Sequence, residues 1–132
     1  MTTFTHLPDL RLGDLPARAA RRWGNLPAVH FVAPDGTVHS ETYRELAENV
    51  DRVAKGLLAL GVASGDHVGV WMTNRPEWLH LMYAVGKVGG CLVPLNTRYR
   101  SDDMSFTVIN PECTHLIAID QSGPIDYRSL LA

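Results

Sequence analysis

Cysteine is scarce in this sequence, and long apolar runs are missing. The only two cysteines, Cys91 and Cys113, form no CxxC pair, which excludes a disulfide-dense scaffold. No apolar run approaches the ~18 residues that a membrane-spanning helix needs. The first residues lack the basic segment and following apolar segment of a secretory signal. We therefore expect a cytoplasmic protein without a transmembrane segment, in which both thiols are buried and free.

The sequence has no excess of positive charge. It contains 12 Lys and Arg residues against 14 Asp and Glu residues, a formal net charge of −2. The basic residues are scattered except for Arg18, Arg21 and Arg22 on one predicted helix, and we interpret these three as a solvated helix face. We therefore expect no nucleic-acid partner, because nucleic-acid-binding domains concentrate positive charge.

Signatures of metal binding and of triad catalysis are also missing. No GxSxG motif occurs, and the histidines show neither HxxxH nor HxH spacing at positions 6, 30, 39, 67, 80 and 115. Asp102 and Asp103 fall in the first turn of a predicted helix, where carboxylates stabilise the helix dipole. We interpret that pair as structural. The residue pattern thus predicts no catalytic residue, no cofactor-binding residue and no metal ligand.

The first part of the chain predicts a helix followed by a hairpin. Asp14 can cap a helix over residues 15–23, and Gly24 can end it. The strand-like segments 28–32 and 37–40 flank the turn sequence APDG, which is typical of a small β-hairpin.

The clearest element is an amphipathic helix over residues 42–60. Thr42 and Glu45 have the spacing of a capping box, in which a hydroxyl and a carboxylate each bind the other residue's amide. Gly61 lies where a left-handed residue can end the helix. One apolar stripe recurs at helical spacing and comprises Tyr43, Leu46, Ala47, Val50, Val53, Ala54, Leu57 and Leu58.

The rest of the chain alternates strands and helices. Strands are predicted over residues 67–72, 91–95 and 114–119, and helices over 77–88 and 101–108. The strands are almost continuously apolar, as parallel strands covered on both faces are. The predicted fold class is therefore α/β. It combines a small β-hairpin, an amphipathic helix and a parallel βαβαβ unit, which is an incomplete doubly wound sheet.

Three glycines within five residues, Gly86, Gly89 and Gly90, raise the question of a phosphate loop. Such a loop follows a strand and opens a helix, so that amides and the positive dipole end face the anion. These glycines instead end a helix and lead into the strand 91–95, and their GxxGG spacing matches neither GxGxxG nor the P-loop. We interpret them as a packing joint.

The junction MTNRPEW, residues 72–78, is a better-placed ligand site. Ligands of open α/β sheets bind beyond the carboxyl ends of the strands. Arg75 can meet an anion there, and Asn74 can donate a hydrogen bond. The alternative, which we favour, is that Asn74 caps the following helix and that Arg75 is solvated.

Several segments, in this order and spacing, resemble the N-terminal part of the adenylate-forming (AMP-binding) superfamily. They are TYREL at residues 42–46, LLALGV at 57–62, SGDHVGVWMTNRPEW at 64–78, and the long segment YAVGKVGG to LIAID at 83–120. Within the superfamily the resemblance is to the acyl-CoA synthetases, or fatty-acid–CoA ligases. It covers residues 12–120 and is carried chiefly by residues 42–46 and 87–96.

The resemblance implies a two-step ligase reaction for a longer parent protein. A carboxylic acid attacks ATP with Mg²⁺ to give an acyl-adenylate and pyrophosphate, and coenzyme A then displaces AMP. The family's Ser/Thr/Gly-rich phosphate loop, closing on Pro-Lys-Gly, and its catalytic Lys follow the region seen here and have no counterpart in this sequence. No catalytic or cofactor-binding residue is therefore carried over.

We accordingly expect residues 1–132 to be an N-terminal fragment of a synthetase large domain, inactive alone and architectural in role. Residues 1–12 are expected to be extended and residues 121–132 to form a poorly defined tail. The expected partner is the remainder of the parent, or a second copy paired through an open sheet edge. The alternatives are a stand-alone, non-catalytic α/β interaction module and a small nucleotide binder, which the missing glycine fingerprint disfavours.

Overall fold

The computed structural model describes residues 10–98, 112–122 and 125–130. The helix predicted over residues 101–108, with Asp102 and Asp103, lies outside these ranges. Among the described residues, no helix is both long enough and apolar enough to cross a bilayer.

The chain enters through a 3-10 turn, Leu12–Asp14, and a first helix, α1, Leu15–Trp23. The prediction that Asp14 caps α1 is wrong, because its side chain makes no capping hydrogen bond. Asp14 belongs to the preceding turn and has helical dihedral angles (φ −88°, ψ −15°) rather than the extended ones of a capping residue. Gly24 ends the helix as predicted, and its amide donates to the carbonyl of Ala20 at 2.9 Å.

The predicted hairpin is present as two antiparallel strands, β1, Pro27–Val32, and β2, Val38–Thr42. Gly36 takes a φ of +85° in the turn between them. Strand β2 runs two residues further than predicted and places Glu41 inside the protein.

The amphipathic helix is α2, Tyr43–Ala59, and its capping box is confirmed. The Glu45 amide donates to Thr42 Oγ1 at 3.2 Å, and the Thr42 amide donates to Glu45 Oε2 at 2.8 Å. Gly61 has a φ of +89°, as expected for a left-handed residue after a helix. The buried side of the stripe consists of Leu46, Val50, Ala54 and Leu57.

The parallel unit has the strand order β4-β3-β5. Its strands are β3, His67–Trp71, β4, Cys91–Pro94, and β5, Cys113–Ala118, all mutually parallel. The connection between β3 and β4 contains α3, Pro76–Val88. The prediction of an α/β fold with a hairpin, an amphipathic helix and a parallel unit is therefore confirmed.

Two apolar clusters occupy the two faces of this sheet. One joins Val68 and Val70 of β3 to the buried sides of α2 and α3. The other joins Trp71 to Leu95 and Tyr127, and the rings of Trp71 and Tyr127 meet edge to face with centroids 4.4 Å apart.

Residues expected to form a poorly defined tail include ordered elements in the structure. They are β6, Gln121–Ser122, β7, Ile125–Asp126, and a helical turn, Tyr127–Leu130. Tyr127 has no exposed surface, and its hydroxyl donates to the carbonyl of Thr97 at 3.4 Å. The cluster around Trp71 therefore holds this segment against the sheet.

The prediction that both cysteines are buried is wrong for Cys91, which is exposed, whereas Cys113 is half-buried. Cys91 is the first residue of β4, an outer strand of the sheet, so among the described strands it has a neighbour on one side only. Both thiols are free. Burial and the nearby Cys91 raise the pKa of the Cys113 thiol.

The three glycines form a packing joint. Gly89 has a φ of +83°, and a Cβ there would lie 2.7 Å from Ser64 Oγ. A Cβ on Gly90 would lie 3.1 Å from Val85 Cγ1, and one on Gly86 would lie 3.3 Å from the backbone of Gly13. Protein atoms fill the space beside each of the three glycines, so these glycines do not form a phosphate-binding loop.

Replacing Gly89 by alanine is expected to lower the free energy of unfolding by about 1–3 kcal/mol, because the new Cβ is strained at positive φ and meets Ser64. The matched control is Gly56→Ala in α2, where nothing lies within 4 Å of the added Cβ. That change should raise the free energy of unfolding by about 0.5–1 kcal/mol. Urea denaturation measures both, and equal effects of the two changes would contradict the packing role.

Candidate functional site

A groove opens beside the carboxyl end of β3, where the sequence places the junction 72–78. It has a volume of about 980 Å³ and lies between the hairpin and the start of α3. Its polar lining comes from four parts of the chain and includes Thr37, His39, Glu41, Asn49, Arg52, Thr73, Asn74, Arg75, Glu77, His80 and Gln121.

Asn74 and Arg75 both line this groove. Asn74 is not the helix cap that the sequence indicated, and Arg75 is neither freely solvated nor free to bind an anion. Arg75, not Asn74, is the residue that precedes α3, and no side chain caps the helix. The interpretation that Asn74 caps α3 is therefore wrong. It fails because Arg75 follows Asn74 in extended conformation (φ −162°, ψ 162°), which delays the helix start to Pro76.

The guanidinium of Arg75 is engaged by a carboxylate from the same junction. Its Nε donates to Glu77 Oε2 at 2.8 Å and its Nη2 donates to Glu77 Oε1 at 3.1 Å. This fork-like pair lowers the pKa of Glu77 and raises that of Arg75. Arg75 is thus neither freely solvated nor an unpaired anion receptor, and an incoming anion has to compete with Glu77.

A carboxylate buried beneath the groove organises its inner wall. Glu41 is only 5% exposed, and His80 is 7% exposed. Glu41 Oε1 is 2.9 Å from His39 Nε2 and accepts from Asn49 Nδ2 at 3.1 Å, while Glu41 Oε2 is 2.8 Å from His80 Nε2. We call these four residues, His39, Glu41, Asn49 and His80, the Glu41 cluster.

The electrostatics of the cluster favour a charged Glu41. Burial by itself pushes the pKa of the carboxyl upward, but hydrogen bonds from His39 and His80 outweigh it. The pKa of Glu41 is therefore lowered from its ordinary value. A buried carboxylate is tolerated because both of its oxygens have partners.

The Glu41 cluster connects elements that are distant in sequence. His39 and Glu41 lie on β2, Asn49 on α2 and His80 on α3. Because both oxygens of Glu41 are occupied, the cluster is suited to holding the hairpin on the two helices. In the part of the chain that the structure describes, no group of three or more His, Cys, Asp or Glu residues is arranged to hold a metal ion.

Sequence reasoning did not find the Glu41 cluster. One available signal was His80, a titratable residue within a helix that is otherwise apolar on most sides. Such a residue needs a polar partner once buried. The partner could not be identified, because Glu41 lies 39 residues away in the chain.

Comparison with known proteins identifies the family. The family profile described as "AMP-binding enzyme" matches residues 16–129, so the chain belongs to the AMP-binding enzyme family. Among curated relatives, the acyl-CoA ligase SID4 of Ajellomyces capsulatus is 31% identical over 93% of this chain. The mitochondrial medium-chain acyl-CoA ligase ACSF2 of Rattus norvegicus is 26% identical over 98% of it.

Solved structures show the same relationship. A fatty acyl-CoA synthetase of Mycobacterium tuberculosis superposes with a TM-score of 0.75 and 31% identity, over 82% of this chain and 21% of its own. The N-terminal subdomain of Klebsiella oxytoca NpsA, in complex with anthranilyl-AMSN, gives a TM-score of 0.76 and 25% identity over 92% of this chain and 31% of its own. The resemblance to acyl-CoA synthetases is therefore confirmed.

The chain spans about a fifth of the length of the curated relatives, 20% for both SID4 and ACSF2. The matched part is the N-terminal region of larger ligases and synthetases, as expected from the ordered motifs. The chain is thus an N-terminal piece of an acyl-CoA synthetase-like fold.

Replacing Glu41 by glutamine is expected to lower the free energy of unfolding by about 1–3 kcal/mol at neutral pH, because a charged acceptor of one buried and two partly buried hydrogen bonds is lost. The matched control is Glu48→Gln, at an exposed position on α2. It should change stability by less than about 0.5 kcal/mol.

The Glu41→Gln variant also tests how the contribution of Glu41 to the free energy of unfolding depends on pH. Because folding lowers the pKa of Glu41, its contribution to stability is present above the pKa of an unfolded glutamate, about 4.3. That contribution is lost as the pH falls through the lower, folded value. Urea titrations from neutral pH to about pH 3 should therefore bring the wild type and Glu41→Gln together. A difference that stays constant over this range would contradict a charged Glu41.

Proposed function

We propose that the protein carrying this chain is an ATP-dependent acyl-CoA synthetase. A carboxylic acid attacks ATP and forms an acyl-adenylate with release of pyrophosphate. The coenzyme A thiol then displaces AMP to give the thioester. The observation that carries this proposal is the family match over residues 16–129, supported by relatives that are acyl-CoA ligases.

Within that enzyme we propose an architectural role for this chain. The glycine joint at residues 86–90 is filled by Ser64, Val85 and Gly13, and Arg75 is paired with Glu77. These residues therefore suit packing rather than the binding of ATP phosphates. The chain's contribution is a sheet carrying helices on one face, against which the remainder of the synthetase builds its ATP and acyl sites.

The proposed partner of this chain is that remainder, joined through the sheet. Strands β4 and β5 are the two outer strands of the three-stranded sheet. The outward edge of an outer strand presents backbone amides and carbonyls that another strand can pair with. We propose ATP, Mg²⁺ and coenzyme A as ligands of the whole enzyme, and the cytoplasm as its location.

Pyrophosphate exchange tests this proposal. The whole protein that carries the chain should catalyse acid-dependent exchange between pyrophosphate and ATP with a panel of fatty and aryl acids. Residues 1–132 alone should give none, because their sequence contains no Ser/Thr/Gly-rich loop closing on Pro-Lys-Gly. Exchange above a no-protein control by residues 1–132, or its absence from the whole protein with every acid, would contradict the proposal.

A Gly89→Ala variant of the whole protein separates packing from ligand binding. Its melting temperature should fall while its affinity for ATP, measured below the melting transition, stays within about twofold of the wild type. An unchanged melting temperature with sharply weaker ATP binding would assign the glycine joint to the nucleotide site instead.

A further inference from the structure

Burial along the hairpin is confined to two side chains near its base. Val29 of β1 is 9% exposed, and Glu41 of β2 is 5% exposed. Residues 30–40, which form the rest of both strands and the turn, include no buried residue. At the far end of the strands, Val32 and Val38 are paired and are 57% and 56% exposed. The far part of the hairpin therefore gains little stability from the burial of apolar surface.

The hairpin carries its own hydrogen bonds in addition to the ladder between its strands. The amide of Ala33 donates to the carbonyl of Thr37 at 2.8 Å, and the amide of Gly36 donates to the carbonyl of Ala33 at 2.9 Å. Further back, His30 Nδ1 lies 2.9 Å from Ser40 Oγ. None of these bonds involves α2 or α3, so the hairpin can move as a unit without breaking them.

The base of the hairpin is attached to the start of α2. The Tyr43 amide donates to the carbonyl of Leu26 at 3.1 Å, directly before β1. The pairing register of the two strands then shifts between Pro27 and Val29. Such an irregularity bends a strand and interrupts the ladder locally. A fixed attachment followed by an irregular pair of residues is the arrangement that a hinge requires.

Glu41 joins the hairpin to the helices beneath it. Its Oε1 accepts from Asn49 Nδ2 of α2 at 3.1 Å, and its Oε2 is 2.8 Å from His80 Nε2 of α3. In the part of the chain that the structure describes, the capping box at Thr42 supplies the other side-chain hydrogen bonds between the hairpin and these helices. A buried carboxylate is costly without its partners, so an intermediate position of the hairpin is unfavourable. Once the hairpin is lifted, water can replace those partners.

The two sides of the groove differ in how firmly they are held. The hairpin lines one side with apolar residues that include Phe31 and Pro34, and α2 and α3 line the other side. Both helices are anchored in the core, where Val50 of α2 and Val85 of α3 are fully buried. The helices are thus fixed by packing, whereas the far part of the hairpin borders the groove of about 980 Å³.

We propose that the hairpin is a hinged flap, which swings away from α2 and α3 as a unit when the hydrogen bonds of Glu41 break. The pivot is the base of the hairpin, at residues 26–29 and 42–43. The structure described above is the closed state. Opening uncovers Asn49 and His80 and widens the groove at the carboxyl end of β3, while the helices and the parallel sheet stay folded. The flap therefore controls access to the groove.

Thiol labelling of the full chain measures the opening of the flap. The background changes are Cys91→Ser and Cys113→Ser, and one thiol is then introduced by Val29→Cys under the flap or by Val85→Cys in the core of α3. Because opening exposes only the first position, the Val29→Cys thiol should react with iodoacetamide at least about 100-fold faster than the Val85→Cys thiol. Low concentrations of urea should accelerate only the second reaction, since it requires global unfolding and exposes more surface.

A change at Glu41 tests the latch. Adding Glu41→Gln to the Val29→Cys chain should raise the labelling rate about tenfold, because hydrogen bonds to a neutral acceptor are weaker than those to a charged one. The control Glu48→Gln, at an exposed position on α2, should leave the rate within about twofold. Circular dichroism checks that every variant is folded.

His80 provides a second measurement that needs no substitution. It is buried beneath the flap, whereas His30 of β1 is exposed. In the wild type, diethyl pyrocarbonate should acylate His80 more slowly than His30, at a rate that low concentrations of urea do not change.

Three results would each overturn the proposal. One is equal labelling of the Val29→Cys and Val85→Cys thiols with the same dependence on urea. Another is an effect of Glu41→Gln on the Val29→Cys thiol no larger than that of Glu48→Gln. The third is acylation of wild-type His80 that rises with urea in parallel with global unfolding.

Discussion

Burial of the central strand on both faces is the constraint on which the rest of the parallel unit depends. Val68, Val70 and Trp71 of β3 have no exposed surface. Adjacent side chains of a strand point to opposite faces, so Val70 and Trp71 need separate cover. Helices α2 and α3 supply it on one face, and Leu95 with Tyr127 supplies it on the other. The loop after β4 is tied in as well, because Trp71 Nε1 donates to the carbonyl of Asn96 at 3.1 Å.

The Glu41 cluster imposes a second constraint, this time polar. An apolar contact can be satisfied in many registers, whereas a buried carboxylate requires donors at defined positions. Glu41 has its hydrogen-bond partners on β2, α2 and α3. The next residue, Thr42, forms the capping box that fixes where α2 begins. The hairpin is therefore held in one position relative to the two helices. The groove at the carboxyl end of β3 takes its shape from this arrangement.

The two main surfaces of the chain differ in chemistry in a way that fits a piece of a larger ligase. The groove beside β3 has most of its charges paired internally, as with Arg75 and Glu77. The exposed face of α1 carries Arg18, Arg21 and Arg22, which have no ion-pair partner among the described residues, beside the exposed Leu15 and Trp23. Internal pairing of charges suits a groove that supports neighbouring parts of the fold.

The sequence by itself determined the features that depend on residues close together in the chain. The capping box of Thr42 and Glu45, the left-handed Gly61 and the apolar strands follow from local chemistry, and the ordered motifs at residues 42–46 and 87–96 identified the family. The structure alone decided the strand order β4-β3-β5, the partners of Glu41, the pairing of Arg75 with Glu77 and the exposure of Cys91 on an edge strand. Most of these depend on contacts between distant segments, and the pattern along one segment does not specify which other segment it meets. The pairing of Arg75 is an exception, because its partner Glu77 lies only two residues away in the chain. It forms where Arg75 takes an extended backbone directly before α3, a backbone that the residue pattern did not predict.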